Sequence, residues 1–183
     1  SLPAAKAALE AAGVPVRALL VPNLGHGIDE ATVHAALQFL RGVEWGELDF
    51  LIVDMPPGTG DIHISMIQQV PLNGVVIVST PQEVALLDAR KCLAMFRRLG
   101  VPILGMVENM SYFIDPVSGN KSYIFGKEGV KNEATRLDMP YLGEIPIYPA
   151  IGCASDQGCP IALKDDDASS VYYRHIAKRI AYP

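Results

Sequence analysis

Hydrophobic positions along this chain follow two alternating patterns. Short, nearly unbroken apolar runs rich in β-branched residues occur at Val16 to Val21, Phe50 to Asp54, Val75 to Ser79, Ile103 to Val107 and Tyr141 to Ile145. Runs of that length, ended by Gly, Pro or Asn, predict strands buried on both faces of a sheet. Between them, apolar residues recur every three or four positions, which predicts helices. These are expected over Asp29 to Arg41, Ile62 to Val70, Glu83 to Leu99, Gly129 to Leu137 and Asp165 to Ala181.

Local signals support these elements. Asp29 can cap the first helix, Val33, Ala36, Leu37 and Leu40 share one face, and Gly42 ends it. In the helix from Glu83 the core face is Ala85, Leu86, Ala89, Cys92, Leu93 and Phe96. Phe113 to Phe125 reads as a small hairpin turned at Ser118-Gly119-Asn120. Pro146 is expected to close the last strand, and Gly152 to Lys164 to form a long irregular loop. Asp165, Asp166 and Asp167 suit the positive end of the last helix. Its apolar face (Tyr172, Tyr173, Ile176, Ala177, Ile180) can pack on a sheet or lie on a membrane, and packing is the simpler reading. Strands alternating with helices define an α/β fold: a mostly parallel sheet with helices on both faces, in a single domain over residues 1–183.

Composition narrows the function. Half the 183 residues are hydrophobic, enough for a core. The net charge of −5 and the lack of a basic cluster argue against nucleic acid as partner. No run approaches the roughly 20 apolar residues that span a membrane, and no signal peptide is expected. The three cysteines, Cys92, Cys153 and Cys159, have no C-x-x-C spacing. A reducing, cytoplasmic setting fits them. Cys92 falls on a helix core face; Cys153 and Cys159 are either ordinary loop cysteines or a labile metal site. His26, His34, His63 and His175 share no metal-ligand spacing, and no serine lies in a Gly-x-Ser-x-Gly context.

The most informative stretch is Leu51-Ile52-Val53-Asp54-Met55-Pro56-Pro57-Gly58-Thr59-Gly60-Asp61. An apolar strand would deliver Asp54 to the carboxyl edge of the sheet, where open α/β folds bind ligands. A carboxylate there can hold Mg²⁺, or simply cap the next turn. Gly58 and Gly60 let backbone N–H groups approach a phosphate. Asp61 can serve catalysis or cap the helix that follows. Asn109, after a buried run, can pair with a base edge or form a turn.

Taken together, Trp45-Gly46-Glu47-Leu48-Asp49, the Asp54 to Asp61 stretch, Thr80-Pro81-Gln82-Glu83-Val84-Ala85, Val107-Glu108-Asn109-Met110-Ser111-Tyr112-Phe113 and Ile124-Phe125-Gly126 resemble the Mrp/ApbC (Nbp-type) family. These are P-loop ATPases related to MinD and ParA that act as iron–sulfur scaffolds or carriers. The resemblance implies ATP and Mg²⁺ as cofactors, a homodimer, and iron–sulfur client proteins as partners. It places Asp54 on the metal, Gly58 with Pro57 at the γ-phosphate, Asn109 on adenine and Pro146 against the base.

Two departures from the family pattern change the expectation. No G-x-x-x-x-G-K-[ST] loop is present, and Ser1-Leu2-Pro3 resembles a segment that follows the family's second strand. The chain therefore looks like the C-terminal two-thirds of the family domain, with exposed strand edges, self-association or a shifted sheet, and weak ATP hydrolysis alone. Where the family carries C-P-x-C, whose thiolates bridge a [4Fe–4S] cluster between two subunits, this chain reads Asp115-Pro116-Val117-Ser118. Asp115 and Ser118 are poor ligands for such a cluster. A MinD/ParA-like partitioning switch and a non-catalytic scaffold are the rival readings.

Overall fold

The computed structural model describes residues 30–55, 61–164 and 167–182. The expected strand at Val16 to Val21, the cap at Asp29, Pro57, Gly58 and Gly60, and Asp165 and Asp166 lie outside them, as does the side chain of Asp61.

Among the described residues two helices come first, α1 (Glu30–Gly42) and α2 (Asp61–Gln69). Then follow β1 (Val75–Ser79), α3 (Glu83–Arg98), β2 (Ile103–Ile114), β3 (Lys121–Ser122), α4 (Gly129–Arg136), β4 (Tyr141–Ile147), α5 (Pro149–Asp156), a 3₁₀ turn (Ile161–Leu163) and α6 (Ser170–Ala181). The sheet is mixed. β1 and β4 run parallel to β2 on either side of it, while β3 pairs antiparallel with the far end of β2.

Side chains alternate across the sheet as a pleat requires. Ile77 and Met106 face α3 and α4, where Leu86, Ala89, Leu93, Phe96, Val130 and Ala134 complete a buried cluster. Val107, Leu142 and Ile145 face the other way, onto Ile176 of α6, with Tyr172, Tyr173 and Ile180 at the margin. The two crossovers, β1-α3-β2 and β2-α4-β4, move in one direction along the sheet. One hand of connection therefore puts both helices on the same face. The second face is left for α6, so the apolar stripe of α6 packs on the sheet.

Each fully buried aliphatic or aromatic side chain in these clusters contributes about 1.5–3 kcal/mol. An ion cluster joins α3 to α4: Arg90 forks onto the buried Glu133 carboxylate at 2.8 and 2.9 Å, and Arg136 donates to it from the next turn. These two guanidinium groups hold the Glu133 carboxyl down at about 2. Gly105 crosses beside β4 with φ +150°; a Cβ there would sit 2.6 Å from the Pro140 carbonyl oxygen.

Several expectations need correction. Phe50 to Asp54 is not a strand: no described strand includes it, and Ile52 is 80% exposed. A strand needs a ladder for its N–H and C=O groups, and no described residue supplies one. Val53 and Met55 pack instead against Leu37, Leu40, Met66 and Val70 of the α1–α2 unit.

β2 runs past Val107 to Ile114 because β4 and then β3 still supply partners. Pro146 does not close β4, which continues to Ile147 opposite Phe113. A proline is tolerated in a strand that is paired on one side only among the described residues.

Much of the expected loop at Gly152 to Lys164 is ordered as α5 and the 3₁₀ turn, with Pro149 in the first helical turn. The last helix begins at Ser170. Before it, Asp167 closes a turn by accepting the Ser169 N–H at 2.8 Å.

Candidate functional site

β1, β2 and β4 are parallel, so their carboxyl ends lie on one edge. Register puts Asn109 opposite Ile145, and Pro146 follows immediately. The two residues expected at a base therefore share this edge. Pro146 is buried and Asn109 half-buried. The backbone kinks just after Asn109: Met110 sits at φ +54°, and the ladder to β4 shifts register between Asn109 and Phe113. The Asn109 Oδ1 accepts the Met110 N–H at 3.0 Å, which fixes the amide. Its Nδ2 has no partner among the described residues, so a donor and a spare oxygen lone pair remain for a ligand.

Asp54 is not on this edge by any described strand. Its segment is exposed and leans on α1 and α2. Pro57 and Gly58 lie outside the described residues.

Glu108, which sequence reasoning passed over, is 1% exposed. Its Oε2 accepts the Val130 N–H at 2.8 Å, so a strand carboxylate satisfies the start of α4. Burial pushes its carboxyl up, against the pull of the Val130 and Lys131 amides. The available signal was a charged residue inside an otherwise apolar run.

The hairpin turn is closed by its own side chains. Asp115 Oδ1 accepts the Val117 and Ser118 N–H groups, both at 2.8 Å, and Ser118 Oγ accepts the Asn120 N–H at 3.3 Å. The Ser118 and Val117 amides hold the Asp115 carboxyl below its usual range. Asp115 and Ser118 are thus engaged in an Asx turn. Their oxygen chemistry and their geometry do not fit an iron–sulfur cluster. The hairpin is tied to α6 through Tyr112, whose hydroxyl lies 3.3 Å from that of Tyr172, and Lys121 stacks 3.8 Å over the Tyr112 ring.

A groove of about 390 Å³ lies elsewhere. Its walls come from α4, α6 and Tyr141, Gly143 and Glu144 of β4, so it wraps the outer edge of β4 rather than the carboxyl edge. Its charges are mixed, and it adds nothing to the Asn109 site. Among the described residues, no group of three or more His, Cys, Asp or Glu is placed to hold a metal. No described helix is long and apolar enough to cross a membrane.

Solved structures share this architecture. The nucleotide-binding protein of Archaeoglobus fulgidus, in complex with ADP, superposes with a TM-score of 0.67 at 35% identity, over 78% of this chain and 58% of that one. The cell-division ATPase MinD of Pyrococcus furiosus superposes with a TM-score of 0.62 at 20% identity, over 84% and 62%. The fold is that of the MinD-like P-loop NTPases.

Within that class, the chain belongs to the ParA family of NUBPL iron-transfer P-loop NTPases, which it matches over residues 30–181. It is 47% identical over 146 residues to the mouse iron–sulfur cluster transfer protein NUBPL, covering 78% of this chain and 45% of that protein. It is 48% identical over 134 residues to the iron–sulfur cluster carrier protein of Aquifex aeolicus, covering 73% and 37%. The chain spans about half the length, or less, of these curated relatives.

Proposed function

We propose that this chain supplies the base-reading edge of an ATP-dependent iron–sulfur cluster transfer protein that works as a homodimer on iron–sulfur client proteins. The observation that supports the reading is the register of Asn109 with Ile145, one residue before Pro146, at the carboxyl edge of the parallel strands. The anchored Asn109 amide would meet the adenine edge and Pro146 would wall the ring. Asp54 would serve Mg²⁺, with Gly58 and Pro57 beside the γ-phosphate. Bound nucleotide supplies charge and a hydrolysable bond; the chain's own residues read the base and orient it.

The test is calorimetric titration of Mg·ATP, Mg·ADP and Mg·GTP into the chain and into Asn109→Ala. Adenine nucleotides should bind in preference to GTP, and Asn109→Ala should weaken them about tenfold, as loss of one or two net hydrogen bonds does. Equal binding of GTP, or an unchanged Asn109→Ala, would overturn the base-reading role. Anaerobic transfer of a cluster to an apo-ferredoxin, with and without Mg·ATP, tests the cargo.

A second reading is favoured by the closed Asx turn at Asp115: a MinD/ParA-like switch that reports nucleotide state to a partner without carrying a cluster. Partner capture that depends on ATP but not on iron would support it.

A further inference from the structure

Cys153 and Cys159 are both exposed, whereas Cys92 is half-buried against the α3–α4 core, where burial pushes its thiol up. The sequence separates Cys153 and Cys159 by five residues, a spacing with no ligand signature. The fold changes that. Helix α5 ends in a Schellman cap: the Cys159 N–H bonds back to the Ala154 carbonyl at 3.0 Å, and the Gly158 N–H to that of Ser155 at 3.1 Å. Gly158 takes the left-handed conformation that this cap requires, with φ +68°. The cap folds the chain back so that the residue after the glycine lies over side chains three and four places before the helix cap. Those positions here are Cys159 above, and Ala154 and Cys153 below. Ala154 is buried and seats the helix, while Cys153 and Cys159 are both exposed at this cap. Pro160 stiffens the exit.

We propose that Cys153 and Cys159 form a surface two-thiolate site for a soft, thiophilic metal ion. Each thiol gives its proton to solvent as its sulfur–metal bond forms, with no change of oxidation state. Two thiolates select soft ions over Mg²⁺ or Ca²⁺. No third protein ligand is grouped with them among the described residues. The remaining coordination positions are therefore open to solvent, an exogenous ligand or an acceptor, as suits an ion that is handed on rather than stored. The site uses no residue of the Asn109 edge or of the Asp115 turn, and it stands whether or not the nucleotide reading does.

The test is anaerobic titration of the reduced full chain with Cd²⁺, without nucleotide, following the ultraviolet thiolate-to-cadmium charge-transfer band. The chain should saturate with an intensity matching two thiolates. Cys153→Ser and Cys159→Ser should each abolish tight binding, and Cys92→Ala should leave it intact. Gly158→Val keeps both thiols but cannot hold the left-handed cap without strain, and should weaken binding about tenfold with an unchanged far-ultraviolet circular dichroism spectrum. Full binding by either single serine variant, or by Gly158→Val, would overturn the proposal. So would a wild-type response no larger than that of Cys153→Ser/Cys159→Ser.

Discussion

Val75-Val76-Ile77-Val78-Ser79 and Leu51-Ile52-Val53-Asp54-Met55 read almost alike, yet their fates differ. The first is β1, paired along its length with Ile103 to Glu108 and backed by α3 on one face. The second is an exposed segment in which, among the described residues, Val53 and Met55 pack against two helices. Both have high strand propensity. What separates them is a partner: backbone hydrogen bonds make a strand, and propensity only makes the residues fit once the ladder exists. The same contrast holds between the two candidate sites. Asn109 is placed by its register with Ile145, next to the last pair of β1 with β2 at Glu108. Asp54 rides on a segment that no described ladder holds.

The contrast can be broken from either side. The largest effect is expected at Met106, fully buried where β2 meets α3 and α4. Met106→Ala should cost about 2–5 kcal/mol in urea unfolding, from lost burial and the cavity left behind. Glu133→Gln comes next, at about 1–3 kcal/mol near neutral pH, because both arginines then face a neutral group.

That loss should depend on pH in a definite direction. The folded carboxyl titrates at about 2, below its ordinary value of 4.5, so its contribution is fully present above pH 4.5. It fades as pH falls toward 2, and wild type and Glu133→Gln should converge there in parallel urea melts.

Asp115→Ala should act locally. The Val117 and Ser118 amides lose their acceptor, and their hydrogen exchange should speed up while that of β2 stays unchanged. A global loss of protection would instead mean that the turn organises the sheet. Smallest of all is Ile52→Ala, expected within about 0.5 kcal/mol of wild type because the side chain is already in water. A loss comparable to Met106→Ala would mean that the segment is covered in solution, and would erase the difference between the two runs.

Much of this fold was legible beforehand where local and tertiary demands agree. β1 and α3 fall where periodicity puts them, and the hairpin turns at Ser118-Gly119-Asn120. Polar residues hid the rest. Glu108, Asn109 and Ser111 break the apolar run that forms β2, and a rule based on hydrophobic runs stops at Val107. Their reason for being in the strand is tertiary: Glu108 satisfies α4, 22 residues further on. Pro146 looked like a terminator because the sequence does not say that β4 has only one described neighbour. The Schellman cap is half visible, as Gly158 followed by Pro160, but the helix before it is eight residues long and opens on a proline, too short for its period to show.

By itself, the sequence determined the alternation of strands and helices, the faces of α3 and α6, and the motifs that mark a nucleotide-binding family, because each is written in a local period or a contiguous string of residues. Only the tertiary structure decided which apolar run becomes a strand, how far β2 and β4 extend, and which distant side chains become neighbours. Those outcomes depend on partners for backbone hydrogen bonds and on surfaces to pack against, and neither is a property of any one segment.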